Sequence, residues 1–157
     1  MFNKSVILLI FLGASVVLFS CKSHRELNDK QTFKKESINT SFHKIYKKYK
    51  GVPYLYGGTT SRGFDCSGFV QRAYMEAYKT SLPRTTKSMM KAGAKVVKNK
   101  LKVGDLVFFH PTRKYYHVGI YMGKGLFMHA SSSRGVMMSK LSLSYWKKSY
   151  VTARRVL

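Results

Sequence analysis

At 157 residues the chain has room for one domain with a proper core plus appendages, and it carries 29 Lys and Arg against 6 Asp and Glu. Such a positive excess attracts polyanions. The lysines are dispersed, however, and neither a nucleic-acid motif nor a basic heptad pattern occurs. This excludes a sequence-reading nucleic-acid binder and leaves a solvated basic surface or an anionic surface partner.

The chain begins with a short basic stretch, Met1 to Lys4, followed by the apolar run Ser5 to Phe19. That run is too short for a comfortable membrane span and predicts a signal peptide over residues 1–20. Leu18-Phe19-Ser20-Cys21 resembles the bacterial lipobox, which implies a lipid on Cys21 and anchorage to a membrane surface without a spanning helix. Cleavage would remove only Lys4 among the charges, so the positive excess would persist and meet envelope anions. The chain has two cysteines, Cys21 and Cys66. With Cys21 lipidated, Cys66 is left without a partner, the signature of a reactive thiol; a Cys21–Cys66 disulfide is the rival reading.

Residues 21–40 are polar and lysine-rich and read as a flexible tether, with the folded domain expected over 41–157. Phe42, Ile45, Tyr46 and Tyr49 predict a short amphipathic helix from Ser41 to Tyr49, ended by Gly51 and Pro53. Beyond the Gly57-Gly58 turn, Phe69, Val70, Ala73, Tyr74 and Ala77 mark one buried face of a helix from Ser67 to Tyr78. Asp65 is a good N-cap, which places Cys66 in the first turn. There the free N–H groups and the helix dipole favour an anion, so a lowered thiol pKa is expected. A short helical turn is expected over Ser88 to Ala92.

The period then changes. Leu106-Val107-Phe108-Phe109 follows a Gly104-Asp105 turn, Tyr115 to Met122 and Leu126 to Ala130 are further β-rich runs, and Gly135 to Ser139 and Tyr150 to Val156 add two more. Helices first and consecutive strands afterwards predict an α+β fold with an antiparallel sheet of about five strands.

A cysteine nucleophile requires a base, and the base an orienting partner. Of the five histidines, His24 falls in the tether and His43 among helix lysines, which leaves His110, His117 and His129. On spacing alone His117 and His129, on adjacent strands, can converge on the Cys66 helix, with His110 as competitor. From Ser41 onward the only acids are Asp65, Glu76 and Asp105, so an acid beside the thiol has a local reason, helix capping or ligand contact.

Tyr54-Leu55-Tyr56-Gly57-Gly58, Phe64 to Val70, Gly104 to Phe109, His117 to Tyr121 and His129-Ala130 together resemble the NlpC family of papain-like cell-wall peptidases, over about Ser41 to Leu157. Within it the chain is similar to the Spr-type outer-membrane lipoprotein endopeptidases, sharing Leu82-Pro83-Arg84, Tyr145 to Lys148 and Ala153 to Leu157. It departs from the pattern at Val103, where a proline or threonine is common, and in its unusual basicity. The resemblance implies the papain-like NlpC fold, with Cys66 as nucleophile, His117 as general base and acid, His129 as its orienter, and Tyr54, Asp65 and Ser67 lining the substrate cleft. It implies hydrolysis of peptidoglycan stem peptides or cross-links, at a D-Ala-diaminopimelate or γ-D-Glu-diaminopimelate bond, with neither cofactor nor metal and no nucleic-acid partner. A cell-envelope location follows, favouring the outer membrane on its periplasmic side. The alternative from another class is a non-catalytic envelope lipoprotein that binds peptidoglycan or glycolipid on the same fold.

Overall fold

The computed structural model describes residue 32 and residues 37–157. The expected signal peptide, Cys21 and most of the expected tether lie outside the described residues. The folded unit runs over Ile38–Leu157. Its first helix, α1, is described over 37–49 and thus includes residues 37–40, ahead of the expected start at Ser41. Phe42, Ile45 and Tyr49 form its buried stripe while Lys44, Lys47 and Lys48 stay in water, the division that a 3.6-residue period imposes.

A two-stranded ribbon, β1 (Thr59–Thr60) and β2 (Gly63–Phe64), leads directly into helix α2 (Cys66–Tyr78). Asp65 caps α2 by accepting the Gly68 N–H at 2.6 Å, and Lys79, with φ 54°, ends it in the left-handed region. The first turn of α2 presses against the ribbon so closely that a Cβ on Gly68 would meet the Gly58 carbonyl oxygen at 2.1 Å. Glycine is therefore a steric requirement at that position. Helix α3 (Thr86–Met89) starts two residues before the expected turn because Thr85 caps it, accepting the Ser88 N–H.

The sheet has six strands, all paired antiparallel: β3 (Ala94–Val96), β4 (Leu106–Thr112), β5 (Tyr115–Gly123), β6 (Leu126–Ser131), β7 (Gly135–Lys140) and β8 (Tyr150–Arg155), in the order β3-β8-β4-β5-β6-β7. About five strands were expected; the extra one, β3, is three residues of Ala-Lys-Val with no apolar alternation to announce it. A short helix, α4 (Ser144–Ser149), precedes β8.

Both faces of the sheet are covered, and side-chain alternation assigns residues to each. Leu106, Phe108, Val118, Ile120, Met128 and Ala130 pack with the helices, against Phe42, Phe69, Val70, Ala73 and Tyr74. Val107, Phe109, Phe127 and Ala153 face the other way and meet Trp146 of α4. Asp105, 1% exposed, fixes the last strand: it accepts Arg155 Nε and Nη2, each at 2.7 Å, together with the Lys102 N–H. The Gly-Asp pair before β4 thus serves structure.

Candidate active site

Cys66 opens α2, and its thiol is free and 9% exposed. The sulfur lies 3.6 Å from the Thr86 hydroxyl and takes the backbone N–H of Val118, which brings it onto β5 one residue from His117. His117 and His129 come together as their strands require. His117 Nε2 is 2.9 Å from His129 Nδ1, and His129 Nε2 is 3.0 Å from the Ser139 hydroxyl on β7. Gly119 makes this approach feasible, since a Cβ there would lie 2.6 Å from the Phe127 ring and 2.8 Å from the Met128 carbonyl oxygen.

This row of contacts couples the tautomers of the two rings. For His117 to accept a proton on Nδ1, its Nε2–H must donate to His129 Nδ1, and His129 Nε2–H must then donate to Ser139 Oγ. Each hydrogen bond orients the next ring. Trp146 closes over both imidazoles, with centroids 5.2 Å from His117 and 5.0 Å from His129, while Phe127 stacks on His129 at 4.9 Å.

Burial in this aromatic box pushes the His117 pKa down to about 4. His129 moves in the same direction, through burial first and then its neighbour His117. Both rings are neutral at pH 7. Burial also pushes the Cys66 thiol up, and the Thr86 hydroxyl and the Val118 and Ser67 N–H groups oppose this only in part. The expectation of a lowered thiol pKa is thereby corrected. With the imidazole beside it uncharged, the helix start does not outweigh the loss of water, and the resting pair is neutral thiol and neutral imidazole.

Cys66, His117, His129, Tyr54, Asp65 and Ser67 all line one cavity of about 900 Å³. His110 does not line it: it is exposed on β4, stacked on Tyr116 at 4.2 Å. His43 is exposed on α1 and bonded to the Asn39 carbonyl. Arg84, Thr86, Ser139 and Trp146 are among the lining residues that escaped the sequence reading as site residues. Arg84 had two signals: Asp65 is one of only three acids beyond Ser41 and calls for a cation, and Leu82-Pro83-Arg84 belongs to the stretches that carry the resemblance. Trp146 lay in the shared Tyr145 to Lys148 stretch, and Ser139 had no signal of its own.

Asp65 and Ser67 are both bound to Arg84. Its Nη1 donates to Asp65 Oδ1 at 3.1 Å and to Ser67 Oγ at 2.9 Å, and its Nη2 to Asp65 Oδ2 at 2.5 Å. Burial alone would raise the Asp65 carboxyl, but Arg84, the Gly68 N–H and the Ser67 hydroxyl hold it below its ordinary range. Among the described residues no three His, Cys, Asp or Glu side chains gather as metal ligands.

The comparisons with known proteins place the chain in a family. Residues 51–155 match the NlpC/P60 family model. The chain belongs to the NlpC/P60 family. It is 48% identical over 112 residues to the Escherichia coli protein named murein DD-endopeptidase MepS/murein LD-carboxypeptidase, covering 71% of this chain and 60% of that one. It is 37% identical over 155 residues to the probable endopeptidase NlpC of E. coli, covering 94% and 97%. A crystal structure of an NlpC/P60 family protein from Bacillus cereus superposes with a TM-score of 0.69 at 32% identity, over 76% of this chain and 40% of that one. The chain thus spans about 60% of the length of the curated murein endopeptidase that it matches.

Proposed function

We propose that this NlpC/P60 protein is a cysteine endopeptidase that hydrolyses the stem peptides or cross-links of peptidoglycan. The observation that carries the reading is that Cys66 and the hydrogen-bonded row His117, His129, Ser139 line one cavity, together with relatives named for murein cleavage. A pure binder has no use for such a relay.

The proposed chemistry starts from the neutral pair. As Cys66 Sγ attacks the amide carbonyl, its proton passes to His117 Nδ1, and the His117 Nε2–H bond to His129 stabilises the imidazolium that forms. The Cys66 N–H, one of the unpaired donors at the start of α2, is positioned to hold the oxyanion. His117 then gives the proton to the leaving amine as the C–N bond breaks and a thioester remains. Water attacks the thioester, passing a proton back through His117 and releasing a carboxylate and the free thiol.

An anchored location is proposed on the sequence alone: the apolar run ending in Leu18-Phe19-Ser20-Cys21 supports a lipid on Cys21 and residence at an envelope membrane. Among the described residues no helix is long and apolar enough to cross a membrane. Mass spectrometry of the membrane fraction, with Cys21→Ser as control, tests the lipid.

Digestion of purified sacculi with mass analysis of the released muropeptides tests the activity and reads the bond cut. Wild type is expected to release cleaved stems or monomers, and Cys66→Ala and His117→Ala each to abolish release, with the double variant adding little. Sacculi left uncut by wild type, yet bound as well as by Cys66→Ala, would replace the enzyme with a binder.

A further inference from the structure

The sulfur of Cys66 sits among three hydrogen-bond donors that come from three different elements. Ser67 in the first turn of α2 and Val118 on β5 each aim a backbone N–H at it, and Thr86, the first residue of α3, places its hydroxyl oxygen 3.6 Å away. Two of these donors are backbone and come with the fold. The third is a side chain and can be removed without touching the main chain.

Thr86 is held so as to point one way. It is 8% exposed, Met89 at the end of the same helix is fully buried, and Thr85 caps the helix by accepting the Ser88 N–H at 3.2 Å, so α3 is fastened at both ends. A β-branched side chain in that setting has little rotamer freedom. A threonine inside a helix commonly donates to the carbonyl four residues back, but here that carbonyl belongs to Leu82, ahead of the helix, and it accepts Gln71 Nε2 at 2.7 Å. Among the described residues the Cys66 sulfur is the one hydrogen-bond partner of the Thr86 hydroxyl. Its direction follows from the chemistry. Once the thiol proton turns to His117, the sulfur has only lone pairs to offer, and the hydroxyl must donate.

A donor aimed at sulfur matters most when the sulfur is charged, because a neutral thiol is a weak acceptor whereas a thiolate takes charge-assisted hydrogen bonds. Burial makes that charge costly here, and the neutral imidazole does not offset it before the proton arrives. Fixed donors around the sulfur lower the charged state selectively, which is what speeds a reaction.

We propose that Thr86 is a further catalytic residue, whose hydroxyl completes, with the Val118 and Ser67 N–H groups, a cradle for the Cys66 thiolate. The inference deepens the proposed endopeptidase and rests on that reading for the peptide steps alone. The cradle acts twice. In acylation it holds the negative sulfur while the proton leaves for His117 and the S–C bond forms. In deacylation water's oxygen bonds to the carbonyl carbon, the C–S bond breaks with its electron pair going to sulfur, and the cradle holds that sulfur until His117 returns the proton.

Thr86→Val keeps the shape and removes the donor, and Thr86→Ser restores it. Alkylation of Cys66 by iodoacetamide is followed in the full chain from about pH 7 to 10.5, read by mass spectrometry on the Cys66 peptide. The titratable and charged neighbours of the sulfur are Asp65, paired with Arg84, then His117 one residue along β5, and Tyr54, and none of the variants alters them. The midpoint of the profile is expected to rise by about one unit in Thr86→Val and to return in Thr86→Ser. On muropeptides kcat should fall about tenfold in Thr86→Val with KM unchanged. The cradle is overturned if the Thr86→Val midpoint lies within about 0.3 unit of wild type. It is equally overturned if the midpoint moves and Thr86→Ser does not restore it, because then the packing of α3 and not the hydroxyl is responsible. Thr86→Ala lacks the donor as well and is measured beside Thr86→Val, so one misfolded variant does not shield the proposal. Alkylation needs no peptide, which keeps the two readings apart. A shifted midpoint with sacculi left uncut by wild type keeps the cradle and removes the endopeptidase, whereas normal cutting with an unmoved midpoint does the reverse.

Discussion

Ser139 ends the hydrogen-bond relay, and its hydroxyl is what His129 Nε2 meets at 3.0 Å. Ser139→Ala leaves a buried imidazole N–H without an acceptor and frees the alternative tautomer of His129. Since a neutral hydrogen bond contributes roughly 1 kcal/mol, kcat is expected to fall about five- to tenfold. KM should stay unchanged, because the residue acts through the rings and not on substrate. His129→Ala should cost more, and equal losses in kcat and in binding would reduce Ser139 to a packing role. The state of the thiol gives a second test at this scale. With burial pushing the Cys66 thiol up and His117 neutral, alkylation by iodoacetamide is expected to be slow at pH 6 to 7 and to climb with pH beyond the titration of an ordinary thiol of pKa ~8.5. A plateau of fast alkylation below pH 7 would instead mean a resting thiolate–imidazolium pair.

At the scale of elements, Gly119 decides whether the two histidine strands come close enough. Gly119→Ala places a methyl against the Phe127 ring and the Met128 carbonyl, and the second of these is backbone that yields little. Overpacking of this kind costs about 1–3 kcal/mol. It also moves β6 from β5, so kcat is expected to drop at least tenfold while the chain still unfolds cooperatively. A variant with wild-type kcat would show that the strands tolerate the wider spacing. What could be read from sequence follows the same logic of contacts. Strands β4 to β8 were legible because their apolar runs are bounded by glycine or lysine turns, and α2 because its stripe and its Asp65 cap are both local signals. Strand β3 was hidden because it pairs only through backbone with β8, and α4 because Leu143 supplies no capping side chain. In the site, Cys66 announced itself by its place at a helix start, whereas spacing left three histidines open until the family pattern was brought in. Arg84 and Ser139 reach their partners across 19 and 10 residues through tertiary packing, and no periodicity encodes such a meeting. Thiol activation was misjudged for a related reason: the helix start is a local property, while the burial that outweighs it is assembled from β5, α3 and the walls of the cavity.

For the molecule as a whole, the buried histidines set how stability responds to acid. An unfolded His117 takes a proton near pH 6.5, and the folded one not until about 4. Between those values the unfolded chain binds a proton that the native chain refuses, so stability is complete above pH 6.5 and declines as pH falls towards 4. For His117 the loss is roughly 3 kcal/mol over that window, and His129 adds to it in the same direction. Asp65 and Glu76 oppose no part of this trend, because both are held below their ordinary range. Self-repulsion of a chain with 29 basic and 6 acidic residues is present throughout and supplies the background. Urea unfolding at pH 7, 6, 5 and 4.5 separates the two effects when wild type is compared with a His117→Phe, His129→Phe chain. Wild type should lose stability steeply across the series, and the variant, which retains the background charge, should follow a much flatter line. Parallel lines for the two chains would place the acid sensitivity in the surface charge and not in the imidazoles under Trp146.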